Sequence, residues 1–273
     1  MYISKNIQFF QKKNKTYNLY KMPIFTLNIW PFTVSPTWYG LMYALSFFIF
    51  FLAMKRQRMP QKHIDTLLMY TIFWVIMWGR IGYILLYNFS YYKENITEIF
   101  MVWKGGMSFH GWAIWVIIAW YYAARKLKIS FLHLSDQLVW IVPFWILMGR
   151  IGNYINGELF GLPWYDWVGA KVIHGISYFP SPLFEGFLEG ILLGIILLWK
   201  KNTIYYRGQL GVWFLGGYGF FRFIAEFFRS PDIQIGYILG NWMTIWHILS
   251  VIMMCLSIWL HFYLRNTTTT LRD

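Results

Sequence analysis

The chain has 273 residues, of which 58% are hydrophobic, 23% aromatic and only 13% charged. A soluble domain carries about 25% charge, so this balance excludes a soluble globular protein and points to a polytopic membrane protein. The 24 Lys and Arg outnumber the 11 Asp and Glu, but they fall in short clusters between apolar runs. Membrane topology explains that pattern, and nucleic acid is not an expected partner.

The single cysteine, Cys255, lies inside an apolar run, which rules out a disulfide within the chain and a cysteine-based metal site. Any thiol chemistry must therefore use a partner's sulfur. His and acidic residues show no metal-ligand spacing, so neither a metal nor a cofactor is expected.

Residues 1–22 form a polar, basic tail with Lys5, Lys12, Lys13, Lys15 and Lys21 and no apolar core, so they do not read as a signal peptide. Residues 23–273 read as one all-α transmembrane domain. Apolar runs of about 17–25 residues, long enough to cross a hydrocarbon core of ~30 Å, fall near 37–54, 66–88, 110–124, 137–156, 183–199, 209–228 and 238–264. Lipid cannot satisfy open backbone groups, so these runs are expected to be seven transmembrane helices.

Basic residues follow the first span (Lys55, Arg56, Arg58, Lys62), the third (Arg125, Lys126, Lys128) and the fifth (Lys200, Lys201, Arg207), while the alternate loops are near neutral. The positive-inside rule then places the N-terminus outside and the C-terminus in the cytoplasm. The lysines of the tail run against this rule, and Met22 offers an alternative start. Asp65 leads into Gly79-Arg80-Ile81-Gly82, and Asp136 leads into Gly149-Arg150-Ile151-Gly152. This echo suits a parallel internal repeat, or chance likeness between two glycine-rich helices. Gly186, Gly190 and Gly194 recur every four residues, a stripe that lets a neighbouring helix approach.

At 1.5 Å per residue, Arg80, Arg150 and Arg222 each lie roughly 20 Å up from the cytoplasmic face. Tyr39 and His110 open the first and third spans from the outside, so polar groups of five helices converge on the outer half of the membrane. An intramembrane Arg costs at least ~2.5–3.5 kcal/mol, so three at one level need partners or a function. Arg222, Glu226 and Arg229 share one helical face and partly neutralise one another as an ion-pair ladder. Arg80 and Arg150 have no acid within four residues on their own helices. The apparent surplus of cation predicts an anionic ligand, and the guanidinium fork suits a phosphate, here that of a phospholipid headgroup. The stretch Gly149–Gly161 adds glycines that admit close backbone approach, with Asn153 and Asn156 as donors and acceptors. Spacing alone supports lipid binding or lipid chemistry.

The run Gly149-Arg150-Ile151-Gly152-Asn153-Tyr154-Ile155-Asn156-Gly157-Glu158-Leu159-Phe160-Gly161 resembles the signature of the bacterial prolipoprotein diacylglyceryl transferases. The likeness extends to Trp38–Tyr43, Gly105–Gly111 and Phe221–Arg229, and covers about residues 24–264. The resemblance implies seven spans in the bacterial cytoplasmic (inner) membrane. It also implies transfer of the diacylglyceryl group of phosphatidylglycerol to the lipobox cysteine of a prolipoprotein, with release of glycerol phosphate. By motif it carries over Tyr39, His110, Arg150, Asn153, Glu158, Gly161, Arg222, Glu226 and Arg229. The chain departs from the family pattern at Phe179 and Pro182, where His and Gln are usual, at Trp246-His247, where Gly-Gln is usual, and at Trp112, where Gly is common.

The implied chemistry is attack of a thiolate on the glycerol carbon that bears the phosphate. A free thiol has a pKa of ~8.5, so a base or positive surroundings must raise the thiolate fraction. Fixed cations would stabilise the leaving phosphate. The expected catalytic set is Arg150 and Arg222 at the phosphate, His110 as proton acceptor and Tyr39. The expected substrate-binding set is Arg150, Asn153, Asn156, Glu158, Gly161, Arg222, Glu226, Arg229 and Arg80. His110 has a rival reading as a structural hydrogen bond at a helix start, and Tyr39 one as an interface anchor. A transporter or a non-catalytic phospholipid-binding membrane protein is the alternative function. A membrane serine protease is disfavoured, since no Gly-x-Ser-x-Gly elbow occurs.

Overall fold

The computed structural model describes residues 24–29, 32–34, 38–87, 89–100, 109–163, 168–173, 175–231, 236–240 and 242–267. The basic tail of residues 1–22 lies outside them. Helix α1 spans Trp38–Arg56 and α2 Gln61–Tyr87; a short α3 at Phe89–Glu94 and a 3-10 turn at Ile96–Phe100 follow. Helix α4 is Phe109–Leu127. Helix α5 (Phe131–Leu138) runs through a 3-10 turn into α6 (Val142–Ile155). Helix α7 (Ser181–Glu185) continues through a π-helical segment, Gly186–Leu192, into α8 (Leu193–Lys200). Helices α9 (Gln209–Glu226) and α10 (Ile245–Thr267) complete the chain.

Among the described residues, three helical stretches are long and apolar enough to cross a membrane: Phe131–Asn156, Ser181–Lys200 and Ile245–Thr267. They overlap the runs expected near 137–156, 183–199 and 238–264. The last helix starts later than expected, because Gly240 takes φ 59° and Leu239 and Met243 close a turn instead. Two antiparallel hairpins depart from the all-helical expectation: β1 (Leu27–Ile29) with β2 (Phe32–Val34), and β3 (Lys171–Ile173) with β4 (Ile176–Tyr178). Strands of three residues are too short to leave a period-2 signal.

The packing is that of a protein whose solvent is oil. On α10 the outer positions are Ile252, Ile258, Trp259 and Phe262, while His247, Ser250 and Ser257 are buried. Several buried polar groups find partners inside: the Trp120 indole donates to Thr71 Oγ1 at 3.1 Å and that of Trp145 to the Ser46 carbonyl at 3.0 Å. Around these indoles Phe50, Met54, Leu67, Ala123, Leu134 and Leu138 join α1, α2, α4 and α5 in one core.

The glycine stripe faces α6. A Cβ on Gly190 would lie 2.7 Å from Leu147 Cβ, and one on Gly186 3.2 Å from Leu147 Cδ1. Helix α9 is anchored at its other end by Asp136, whose carboxylate accepts the N–H groups of Gly208 at 2.6 Å and Leu210 at 2.9 Å, a side-chain cap supplied from α5. In the sequence echo, Asp65 is the counterpart of Asp136, but it is exposed and accepts from Gln61, at 2.6 Å. The two echoing segments thus sit in different surroundings.

Candidate functional site

Close packing of α6, the α7–π–α8 rod and α9 brings five charged side chains into one buried cluster. Arg150 Nη2 lies 2.8 Å from Glu185 Oε2 and 3.4 Å from Glu189 Oε2. Arg222 Nη1 lies 2.7 Å from the same Glu185 Oε2 and 3.5 Å from Glu189 Oε1, and its Nη2 pairs with Glu226 Oε2. Glu185 and Glu189 are fully buried. Stripping ions of water costs several kcal/mol each, and only tight pairing with further hydrogen bonds offsets it. The second layer supplies such bonds: Thr244 Oγ1 donates to Glu226 Oε1 at 2.8 Å, and the Arg222 guanidinium lies 5.3 Å from the Trp246 ring centroid.

These pairs correct the argument from surplus cation. Arg150 has no acid nearby on its own helix, yet two carboxylates reach it from a rod more than thirty residues away in sequence. Arg229 is buried too and within electrostatic reach of Glu185 and Glu226. Arg80 has backbone and aromatic partners. It is buried, donates from Nε to the Ile99 carbonyl at 3.0 Å and from Nη2 to that of Glu98 at 2.6 Å, and lies over the Tyr92 ring. This geometry clamps the segment after α2.

The stretch Gly149–Gly161 borders the cluster. Asn156 caps α6, Gly157 takes φ 70° and Leu159 φ 57°, and the Glu158 N–H returns to the Asn153 carbonyl at 2.9 Å. The tight loop buries both polar atoms of the Asn156 amide without a hydrogen-bond partner among the described residues. Glu158 is exposed and within electrostatic reach of Tyr43 on α1. Lys171 of β3 lies over the Tyr154 ring and donates to the Tyr154 carbonyl. Partial burial pulls its ammonium below the usual lysine range.

Gly161 lies tight against protein backbone. Its N–H donates to the Phe179 carbonyl at 2.9 Å, and its carbonyl accepts Ser230 Oγ at 2.7 Å. A Cβ there would meet the Phe228 carbonyl at 2.5 Å. The close approach is thus to protein backbone, and it stitches the loop to the end of α9. Phe179 is buried in this joint against Phe228 and Phe184, which gives an apolar residue a packing role at that position. Tyr39 and His110 stand in the first turns of α1 and α4, and their side chains lie outside the described residues.

A family profile for prolipoprotein diacylglyceryl transferase matches residues 25–263. The chain belongs to that family. Among its similar relatives, the phosphatidylglycerol–prolipoprotein diacylglyceryl transferase of Hydrogenovibrio crunogenus is 39% identical over 81% of this chain and 86% of its own length. Those of Bordetella parapertussis, 38% identical over 80% and 88%, and of Francisella tularensis subsp. holarctica, 42% identical over 81% and 85%, carry the same name. Within this diacylglyceryl transferase, the members of the charge network not expected from the sequence are Glu185, Glu189 and Thr244. A signal for the first two was present: an acidic pair four residues apart in an apolar run is as costly as the arginines.

Proposed function

We propose that this chain transfers the diacylglyceryl group of phosphatidylglycerol to the lipobox cysteine of a prolipoprotein at the Arg150–Arg222 cluster. The thiolate forms a carbon–sulfur bond at the glycerol carbon that bears the phosphate. The carbon–oxygen bond breaks, and glycerol phosphate leaves with the electron pair. The observation that carries this reading is a pair of buried guanidiniums beside the family's Gly149–Gly161 loop.

The ion pairs suit the task rather than oppose it. Glu185 holds both guanidiniums through one oxygen, so if either turns toward a phosphate, Glu185 keeps the other. Fixed cations need no reorganisation when the leaving phosphate gains charge. His110 takes the thiol proton, and Tyr39 and Arg229 border the site. Asn153, Asn156, Glu158 and Glu226 orient the loop and the arginines. All seven long helical stretches cross the bacterial cytoplasmic membrane with the N-terminus outside, a reading supported by the alternation of basic and neutral loops.

The test is purified protein with phosphatidylglycerol and a lipobox peptide. The peptide is expected to gain the mass of a diacylglyceryl group while glycerol phosphate appears in equal amount. Arg150→Ala or Arg222→Ala should lower release by about 10²-fold or more. An unchanged peptide would indicate lipid binding or transport instead, and near-parental turnover in both variants would remove the arginines from the chemistry.

A further inference from the structure

The seam between α9 and α10 holds three buried polar atoms without a hydrogen-bond partner among the described residues: Arg222 Nε, His247 Nε2 and Ser250 Oγ. Their placement is tied together on both helices. His247 and Ser250 are one turn apart on α10, as Gly219 and Arg222 are on α9. A Cβ on Gly219 would lie 2.9 Å from the Ser250 carbonyl, and Trp246 stacks against the Arg222 guanidinium. His247 lies within electrostatic reach of Arg222.

The hydrogen-bonding state of His247 follows from its other nitrogen. Nδ1 is 3.2 Å from the Thr244 backbone N–H, which can only donate, so Nδ1 accepts. A neutral imidazole then carries its proton on Nε2. The ring is 1% exposed and wedged among Phe223, Phe227 and Trp242, so it has little freedom to turn this proton elsewhere. Arg222 Nε is likewise a donor and never an acceptor. Two donors cannot satisfy each other, and each left unpaired costs about 1–3 kcal/mol. Such a pair calls for an acceptor oxygen, and beside a guanidinium an anionic one binds best.

Resting on the function proposed above, we infer that His247 is a further substrate-binding residue: its Nε2–H, together with Arg222 Nε–H, donates to a phosphate oxygen of phosphatidylglycerol or of the released glycerol phosphate. Ser250 Oγ, which can donate or accept, completes the polar lining. The charge-bearing part of the site thereby extends from the Arg150 side of α9 to its α10 side.

Three substitutions separate the two nitrogens. Gln places an amide nitrogen as many bonds from Cβ as Nε2, Asn places an oxygen where Nδ1 stands, and Phe supplies neither. In the full chain in lipid vesicles, His247→Phe and His247→Asn are expected to raise the KM for phosphatidylglycerol by about tenfold or more, the loss of one charge-assisted hydrogen bond. His247→Gln should recover most of that loss. The reverse order, Asn active and Gln impaired, would mean that His247 acts only by holding Thr244 and Glu226, and would overturn the inference. So would three variants with parental KM.

A second measurement needs no variant to fold. In the unmodified chain labelled with ¹⁵N-histidine, the Nε2–H resonance that His247→Phe or His247→Gln removes should shift on adding phosphatidylglycerol, and not on adding diacylglycerol. Glycerol phosphate alone causing the shift would assign the contact to the product. No shift with either phosphate compound overturns the inference. Turnover by the parent, measured alongside, reports separately on the transferase reading: product without a shift removes His247 alone, and a shift without product removes the transferase reading alone.

Discussion

Glu185 Oε2 stands between two guanidiniums, 2.8 Å from Arg150 and 2.7 Å from Arg222, in a fully buried position where bulk solvent does not screen the charge. Glu185→Gln keeps the shape and removes the charge. Breaking a buried pair from one side costs about 3–5 kcal/mol, so a clear fall in the unfolding midpoint in detergent is expected, together with loss of glycerol phosphate release. A variant with parental stability would show that the carboxylate is not the ion that neutralises the arginines. His110 lends itself to a pH measurement. A proton acceptor must be neutral to act, so with His110 in that role the parent's rate should fall as pH drops, while His110→Gln stays low and flat. A profile shared by both would leave the base unassigned. At this scale the arginines were legible because membrane insertion penalises them. The pairing of Arg150 with Glu185 and Glu189 was not, since helical periodicity relates only residues within about four positions of each other, whereas burial pairs charges across helices.

Between elements, the contact of the α7–π–α8 rod with α6 sets the distance between Arg150 and its carboxylates. Gly190 decides how close that contact can be, because an added Cβ would fall 2.7 Å from Leu147 Cβ and 3.2 Å from the Pro143 carbonyl, neither of them a flexible tip. Gly190→Ala should therefore destabilise by about 1–3 kcal/mol and reduce turnover. Gly149→Ala is the control, since a Cβ added there would have nothing within 4 Å, and it should leave the unfolding midpoint unchanged. Equal midpoints for the two variants would deny the stripe its packing role. The four-residue spacing of Gly186, Gly190 and Gly194 announced this face in the sequence, and hydropathy placed the rod itself. Spacing was silent about Gly161, whose neighbours, Phe179 and Phe228, come from distant segments and carry no local signature.

For the whole molecule, the apolar exterior suits lipid as the solvent, and loop charge predicts a direction of crossing. A cysteine-free background is simple to make, as Cys255 is the only thiol. On it, Asn202→Cys, after α8, should react with an impermeant maleimide only once the membrane is opened. Ile176→Cys, on the β3–β4 hairpin, should react in intact spheroplasts. The opposite pattern would invert the topology.

The order of charges along the chain bears on how such a protein enters the membrane. Each buried ion met by lipid alone costs ~2.5–3.5 kcal/mol or more. Helix α6 brings in Arg150, a running charge of plus one; the α7–π–α8 rod adds Glu185 and Glu189, giving minus one; α9 and its end add Arg222, Glu226 and Arg229, giving zero. At no completed step is more than one unit uncompensated, although six ions are finally buried. Added helix by helix in chain order, the network would never carry more than one uncompensated unit, each newcomer offsetting what the last one left.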